Sequence, residues 1–328
     1  MVSGVDTQHH HTNMKLIIGS RGSTLALWQA EHVRACLTAL NPGLEVSISI
    51  VQTTGDRITD VPLSRIGDKG LFTKELDRAI LDGQADIAVH SLKDVPTRLT
   101  EGLALAAVME REDPRDALLV APNRAASLAA LPPGARIGTS SLRRRAQLLA
   151  LRPDVIVEDL RGNLDTRMRR VQDGDYDAIV LALAGLTRLG FANRAAQLLD
   201  PPDWLPAVGQ GALGITARAN DASTLTLLSA LEHQPTRAAV TAERALLARL
   251  EGGCQIPIGA LATVGDNLKL QALVASTDGK RIVRGEIEGG ADDALQLGET
   301  LAADLSARGA SEILNELRAQ LTIPPGAP

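Results

Sequence analysis

One cysteine of this chain stands where a thiol can do chemistry. In Glu251-Gly252-Gly253-Cys254-Gln255-Ile256-Pro257 it follows two glycines, between a helical run over 236–250 and a Pro-bounded strand. Glycine frees the backbone and removes steric cover, so a large partner can reach the sulfur. The other cysteine, Cys36, falls on the stripe Leu25, Trp28, Val33, Cys36, Leu37, Leu40 at helical spacing and reads as a small buried hydrophobe. A second reactive group is Asp94, in Ser91-Leu92-Lys93-Asp94-Val95-Pro96. An acid beside a lysine is commonly a surface pair. Here the pair ends a short apolar strand over 86–90 and is held by Pro96, which makes Asp94 a candidate catalytic carboxylate, able to stabilise a cation or move a proton.

Around these groups the chain collects cations. Ten arginines but only seven acidic residues lie between Arg136 and Arg188, although the whole chain carries a formal charge of −5. Two strand-to-helix turns pair hydroxyls with guanidinium groups: Arg21 with Ser23, and Thr139-Ser140-Ser141 with Arg143-Arg144-Arg145. Free N–H groups and the positive end of a helix dipole gather at such turns, and guanidinium forks match carboxylate and phosphate oxygens. Arg161 follows a strand before Gly162-Asn163, Arg167 lies a turn into the next helix, and Arg188 closes another strand end. Ligands of open α/β sheets sit outside the carboxyl ends of strands, so these groups predict a polyanion pocket. Phosphates, polycarboxylates and nucleic-acid backbones all fit it. No Walker loop, zinc spacing or dinucleotide fingerprint is present.

The positioning elements alternate strand and helix, which predicts α/β lobes with parallel or mixed sheets. Ile137-Gly138-Thr139-Ser140-Ser141-Leu142 echoes Ile18-Gly19-Ser20-Arg21-Gly22-Ser23. The stretch 173–180, Asp-Gly-Asp-Tyr-Asp-Ala-Ile-Val, echoes Asp-Gly-Gln-Ala-Asp-Ile-Ala-Val at 82–89. Two echoes in the same order predict two lobes of similar topology with a ligand cleft between them. The expected division is a disordered N-terminal extension (1–13), a first lobe (14–111 and 207–230), an Arg-rich second lobe (112–206) and a smaller C-terminal α/β domain (231–328). The last contains an Asp278-Gly279 hairpin turn and one long amphipathic helical region ending near Leu321, before a Pro/Gly-rich tail over 322–328. Aromatics at 2% require an aliphatic core, and two unrelated cysteines suit a reducing compartment. No apolar run has transmembrane length, the N-terminus lacks the apolar core of a signal peptide, and His9-His10-His11 lacks partners at metal-ligand spacing, so no membrane and no metal are expected.

Six blocks in order carry a resemblance: Gly67-Asp68-Lys69-Gly70-Leu71-Phe72-Thr73-Lys74-Glu75, Asp86-Ile87-Ala88-Val89-His90-Ser91-Leu92-Lys93-Asp94-Val95-Pro96, Gly138-Thr139-Ser140-Ser141-Leu142-Arg143-Arg144, Leu160-Arg161-Gly162-Asn163, Pro206-Ala207-Val208-Gly209-Gln210-Gly211 and Glu251-Gly252-Gly253-Cys254. The chain resembles the porphobilinogen deaminases, or hydroxymethylbilane synthases, of bacterial type. The resemblance implies two lobes like those of periplasmic binding proteins and a third domain carrying a cofactor cysteine. It implies a monomeric cytoplasmic transferase of tetrapyrrole and heme biosynthesis, with transient contact to the next enzyme of the pathway. The transferase so implied condenses four porphobilinogen units head to tail on a dipyrromethane primer, releases ammonia at each step and hydrolyses off the linear hydroxymethylbilane. By motif, Cys254 holds the cofactor by a thioether and Asp94 contacts the pyrrole nitrogens and acts in catalysis. Arg21, Ser23, Lys69, Ser91, Lys93, Thr139, Ser141, Arg143, Arg144, Arg161, Arg167 and Arg188 bind acetate and propionate groups, and Gln210 and Gly211 line the cleft. Deamination creates an azafulvene-like cation, which a fixed carboxylate stabilises. On this reading, neutral replacement of Arg143 or Arg161 impairs assembly and spares the fold. Two departures stand out: Asp68 puts an acid beside Lys69, and Arg145 adds a third arginine of open role.

The competing class is a non-catalytic two-lobed polycarboxylate-binding protein. The Gly-Gly-Cys loop and the Lys93-Asp94 pair count against it. A nucleic-acid binder is disfavoured by the negative charge and the scarcity of aromatics for stacking.

Overall fold

The computed structural model describes residues 15–57, 73–124, 126–250 and 256–322. The N-terminal extension, the loop with Lys69 and the Cys254 loop lie outside these residues.

The first sheet contains β1 (Lys15–Ser20), β2 (Glu45–Ile50), β3 (Ile87–Ser91), β4 (Leu103–Val108) and, from much later in the chain, β10 (Leu213–Arg218), in the order β2-β1-β3-β10-β4. The second contains β5 (Asp116–Val120), β6 (Arg136–Gly138), β7 (Ile156–Glu158), β8 (Ala178–Ala182) and β9 (Gln197–Leu199), in the order β7-β6-β8-β5-β9. In each sheet three strands run parallel (β2, β1 and β3; β7, β6 and β8) and one strand runs antiparallel to its neighbours (β10; β5). The two sequence echoes therefore fall on equivalent strands, β1 with β6 and β3 with β8. The architecture is α/β, two lobes of matching topology plus a smaller third unit.

That unit is an antiparallel meander of β11 (Ile258–Val264), β12 (Leu268–Ala275) and β13 (Ile282–Gly289). The helices Gln234–Arg249, Ala294–Leu305 and Ser311–Thr322 share its aliphatic core of Leu246, Leu270, Val274, Leu301, Leu305 and Leu314. The single long C-terminal helix expected from sequence is two helices, because Gly309 takes φ 104° in the wide turn Ser306–Ala310. Only Thr322 of the expected tail is described, as the end of the second helix.

Helix starts at the lobe turns are set by side-chain caps. Ser23 accepts from Ala26 N at 3.4 Å, Ser141 from Arg144 N at 3.4 Å and Asn163 from Thr166 N at 2.9 Å. Each satisfies a backbone donor that the helix itself leaves unpaired. The helix Thr24–Leu40 buries Val33 and Leu37, as its stripe predicts, but Trp28 and Leu40 are 37% and 54% exposed. Cys36 is only half-buried, with Sγ 3.9 Å from His32 Nε2, because it sits at the margin of the buried face.

Glu243 ties the C-terminal unit to the first lobe and its returning loop. Its buried carboxylate accepts from Arg111 Nη1 (2.6 Å) and Nη2 (3.2 Å), Gly209 N (2.7 Å) and Ala262 N (2.8 Å). Arg111 Nε also donates to Gln210 O at 2.8 Å. A buried carboxylate needs such saturation to offset its desolvation.

Candidate active site

Between the lobes lies a cleft of about 1060 Å³. Every sequence-predicted site residue among the described ones lines it: Arg21, Ser23, Ser91, Lys93 and Asp94 from the first lobe, Thr139, Ser141, Arg143, Arg144, Arg161, Arg167 and Arg188 from the second, with Gln210 and Gly211 between. Lys69 and Cys254 lie outside the described residues.

Lys93 and Asp94 sit on a single 3-10 turn, Leu92–Asp94, that follows β3 directly. The loop 207–212 is packed against this turn, with Leu92 N donating to Ala212 O at 3.0 Å. Two glycines permit the approach. A Cβ at Gly209 (φ +71°) would meet Leu92 and Lys93 at 3.2–3.3 Å, and one at Gly211 (φ +92°) would lie 2.3 Å from Glu112 O. Any side chain at Gly211 displaces the backbone joining the lobes. Arg188 is not at a strand end, as its sequence position suggested. It ends the short helix Leu183–Arg188 after β8, and its Nη2 reaches Gly211 O at 2.6 Å.

The opposite wall is electropositive, and part of it is tied down internally. Arg143 Nη1 donates to Asp116 Oδ2 (2.8 Å) and Leu205 O (2.7 Å). Arg144 donates through Nη2 to Asp116 Oδ1 (2.7 Å) and through Nη1 to Val180 O (2.9 Å). Burial alone would raise the Asp116 carboxyl, but Arg143 and Arg144 overcome it and hold it well below the usual carboxylate range. Burial lowers both Arg167, helped by Arg144, and Arg188 to about 10, so both remain cations at neutral pH. Among the described residues, Arg144 Nε and Arg161 Nη1 are buried donors without a hydrogen-bond partner. Ser23 and Ser141 spend an oxygen lone pair on their helix caps, which leaves the hydroxyl hydrogen to donate.

Arg143 and Arg161 are thus not equivalent, contrary to the sequence expectation. Arg143→Leu removes one of the two cations on Asp116 and a buried donor to Leu205 O, and is expected to cost about 1.5–3 kcal/mol. Arg161→Leu removes no partner of a buried acid, so its urea midpoint should stay near that of the parent while that of Arg143→Leu falls.

Sequence reasoning missed Asp116 and the helix-borne Asp165, which also lines the cleft and accepts from Thr24 Oγ1 at 3.2 Å across the lobes. Asp94 is not the only acid facing this pocket. Ser140 Oγ donates to Leu160 O at 2.9 Å and fixes one turn to the next. Arg145, whose role was open, points away from the cleft and donates to Val157 O at 2.9 Å.

Residues 16–226 match the family model "Porphobilinogen deaminase, dipyromethane cofactor binding domain", and residues 237–307 match "Porphobilinogen deaminase, C-terminal domain". The chain belongs to the porphobilinogen deaminase family. It is 54% identical over 307 residues to the porphobilinogen deaminase of Nitratidesulfovibrio vulgaris strain Hildenborough, covering 93% of this chain and 97% of that one. It is 51% identical over 304 residues to that of Pelobacter propionicus, covering 92% and 97%. Among solved structures, a TRAP periplasmic solute binding protein from Desulfovibrio salexigens aligns at TM-score 0.40 and 13% identity, over 67% of this chain and 72% of that one. The periplasmic VFT2 domain of Bordetella pertussis BvgS aligns at TM-score 0.38 and 16% identity, over 66% and 84%.

The site suits the dipyrromethane of a porphobilinogen deaminase. Each pyrrole ring of that group brings two carboxylates, and the cleft offers buried guanidinium donors at Arg144 and Arg161 that nothing in the described protein accepts from. Among the described residues no cluster of three or more His, Cys, Asp or Glu is placed to hold a metal, and no helix is long and apolar enough to cross a membrane.

Proposed function

We propose that this chain joins four porphobilinogen molecules head to tail, releases one ammonia per molecule, and frees the linear hydroxymethylbilane by hydrolysis. The observation that carries the reading is the convergence on one cleft of Asp94 and Lys93 from one lobe and the arginines of the other, in a chain of the deaminase family. The dipyrromethane supplies a covalent primer whose free end is extended, and Cys254 is its anchor. Asp94 faces the pyrrole nitrogens and stabilises the positive charge that develops on the porphobilinogen ring as the amine leaves. Arg21, Lys69, Lys93, Arg143, Arg144, Arg161, Arg167 and Arg188, with Ser23, Ser91, Thr139 and Ser141, hold acetate and propionate groups. Gln210 and Gly211 shape the floor between the lobes. The division into 14–111 with 207–230, 112–206 and 231–328 is supported by the membership of the three sheets. We place the protein in the cytoplasm as a monomer that hands its product to the next enzyme by transient contact, as suits a pathway of water-soluble polycarboxylates.

The test is to denature the purified protein and weigh it, then supply porphobilinogen. A mass in excess by two porphobilinogen-derived units, with ammonia released in equal number to porphobilinogen consumed, is expected. A mass equal to that of the bare chain and porphobilinogen bound unchanged would mark a binding protein instead.

The Lys93 ammonium gives a pH signature. Burial pushes it down to about 8; Asp94 and Asp116 oppose this, while Arg144 and Arg143 add to it. The folded protein thus carries this cation below about pH 8 and loses it above. The KM for porphobilinogen should climb from pH 8 to 9.5 in the parent and climb less in Lys93→Arg, which stays charged. Parallel profiles for the two proteins would remove Lys93 from carboxylate binding.

A further inference from the structure

Asp116 opens β5 fully buried, and four side-chain donors converge on its two oxygens. Besides Arg143 and Arg144, Trp204 Nε1 donates to Oδ2 at 2.8 Å and Gln210 Nε2 to Oδ1 at 2.9 Å. These donors come from the helix Leu142–Leu151, from the segment entering the interlobe loop and from that loop itself. The shell holds two cations and one anion, so one positive charge is uncompensated within it. Arg144 shows where that charge is aimed: Nη1 and Nη2 are both occupied, the residue lines the cleft, and its buried Nε has no partner among the described residues. Without a counter-charge, two neighbouring buried guanidinium groups would repel each other and each would carry an unrelieved desolvation cost. Gln210 Nε2 also donates to Pro114 O at 2.7 Å, so the same carboxylate holds the interlobe loop in register with the arginine pair.

We propose that Asp116 is a positioning residue of this cleft, fixing Arg143 and Arg144 as a pair with one surplus positive charge that receives one carboxylate of the cofactor or substrate. The proposal rests on the deaminase reading. It separates from a plain core anchor by what changes in the enzyme. A group that orients ground-state and transition-state binding alike raises KM and leaves kcat nearly unchanged. A core anchor lowers the melting temperature and the amount of folded protein, and leaves the KM of the folded fraction alone.

The experiment compares the purified parent holoenzyme with Asp116→Asn, Asp116→Glu and Trp204→Phe. Intact mass gives the fraction carrying cofactor, thermal unfolding gives stability, and initial rates give KM and kcat per loaded molecule. Asp116→Asn keeps the shape but removes the charge. Its KM for porphobilinogen should rise about ten-fold or more, with kcat within about three-fold and a smaller loaded fraction. Asp116→Glu restores the charge with imperfect placement and should recover part of both losses. Trp204→Phe leaves every charge in place and frees one lone pair of Oδ2. It should raise KM about two- to five-fold, and it decides the matter if Asp116→Asn does not fold. Folded variants with the parent's KM and full loading, changed only in melting temperature, overturn the proposal. A parent that consumes no porphobilinogen overturns the deaminase reading itself, and the proposal with it.

Discussion

Cys254→Ser yields a protein whose denatured mass equals that of its bare sequence and which does not turn over porphobilinogen. The reasoning is one of access. In sequence, Cys254 follows two glycines between the helix Gln234–Arg249 and β11. That helix is tied to the first lobe through Glu243, which accepts from Arg111 and Gly209, so the chain on the N-terminal side of Cys254 starts from a fixed base. The alternative thiol is half-buried on the helix Thr24–Leu40 beside His32, and is absent from the residues lining the cleft. Serine is nearly isosteric with cysteine but cannot form a thioether, so the fold survives and the anchor does not. Cys36→Ala is the companion variant and should keep both adduct and activity. An adduct recovered on a peptide containing Cys36, or an active enzyme without any adduct, would refute the assignment.

Asp94→Asn should be the most damaging change that leaves the cofactor in place. Departure of ammonia creates positive charge on the porphobilinogen ring, inside a cleft where the other charges pressing on Lys93 include Arg143 and Arg144. Asp94 is the carboxylate on the turn that ends β3, and that turn is clamped by the Leu92–Ala212 hydrogen bond and by Gly209 packed against it. A group so fixed loses little to reorganisation when charge develops, and acts on the transition state more than on binding. Removing one preorganised group of this kind costs roughly 10²–10³ in kcat. Asparagine keeps the size and part of the hydrogen bonding but none of the charge. Glutamate restores the charge one methylene too far out and should be partly active. Each variant is checked for fold by circular dichroism and for cofactor by mass, then assayed for porphobilinogen consumption. A folded, loaded Asp94→Asn enzyme with the parent's kcat would remove Asp94 from the chemistry.

Much of the fold was legible because its signals are local. The strand-turn-helix echoes at 18–23 and 137–142 mark β1 and β6, and the caps Ser23 and Ser141 follow them immediately. The cleft residues were legible because they stand at the ends of strands or in the first turns of helices, where topology alone brings them together. Asp116 was not. It begins Asp116-Ala117-Leu118-Leu119-Val120, which reads as an apolar strand with a polar edge, and its four donors lie 27 to 94 residues away. The signal available was an acid adjoining a fully apolar run, opposite a chain unusually rich in arginine. The contact of Thr24 with Asp165, 141 residues apart, has no sequence signature. The break at Gly309 had one, since Arg308-Gly309 is an ordinary helix C-terminal pair, but the apolar period continues across it and hides the stop.

The strand order of the first lobe also sets a timetable for synthesis. β3 and β4 do not pair with each other; both pair with β10, which lies between them. β10 is made about a hundred residues after β4, when every strand of the second lobe has already been translated. Until it emerges, β3 and β4 present open hydrogen-bonding edges, and the turn bearing Asp94 lacks the Ala212 carbonyl that clamps it. Domains generally complete in the order of translation. Here the lobe begun first is closed last, and its unpaired edges are a target for the chaperones that meet the nascent chain.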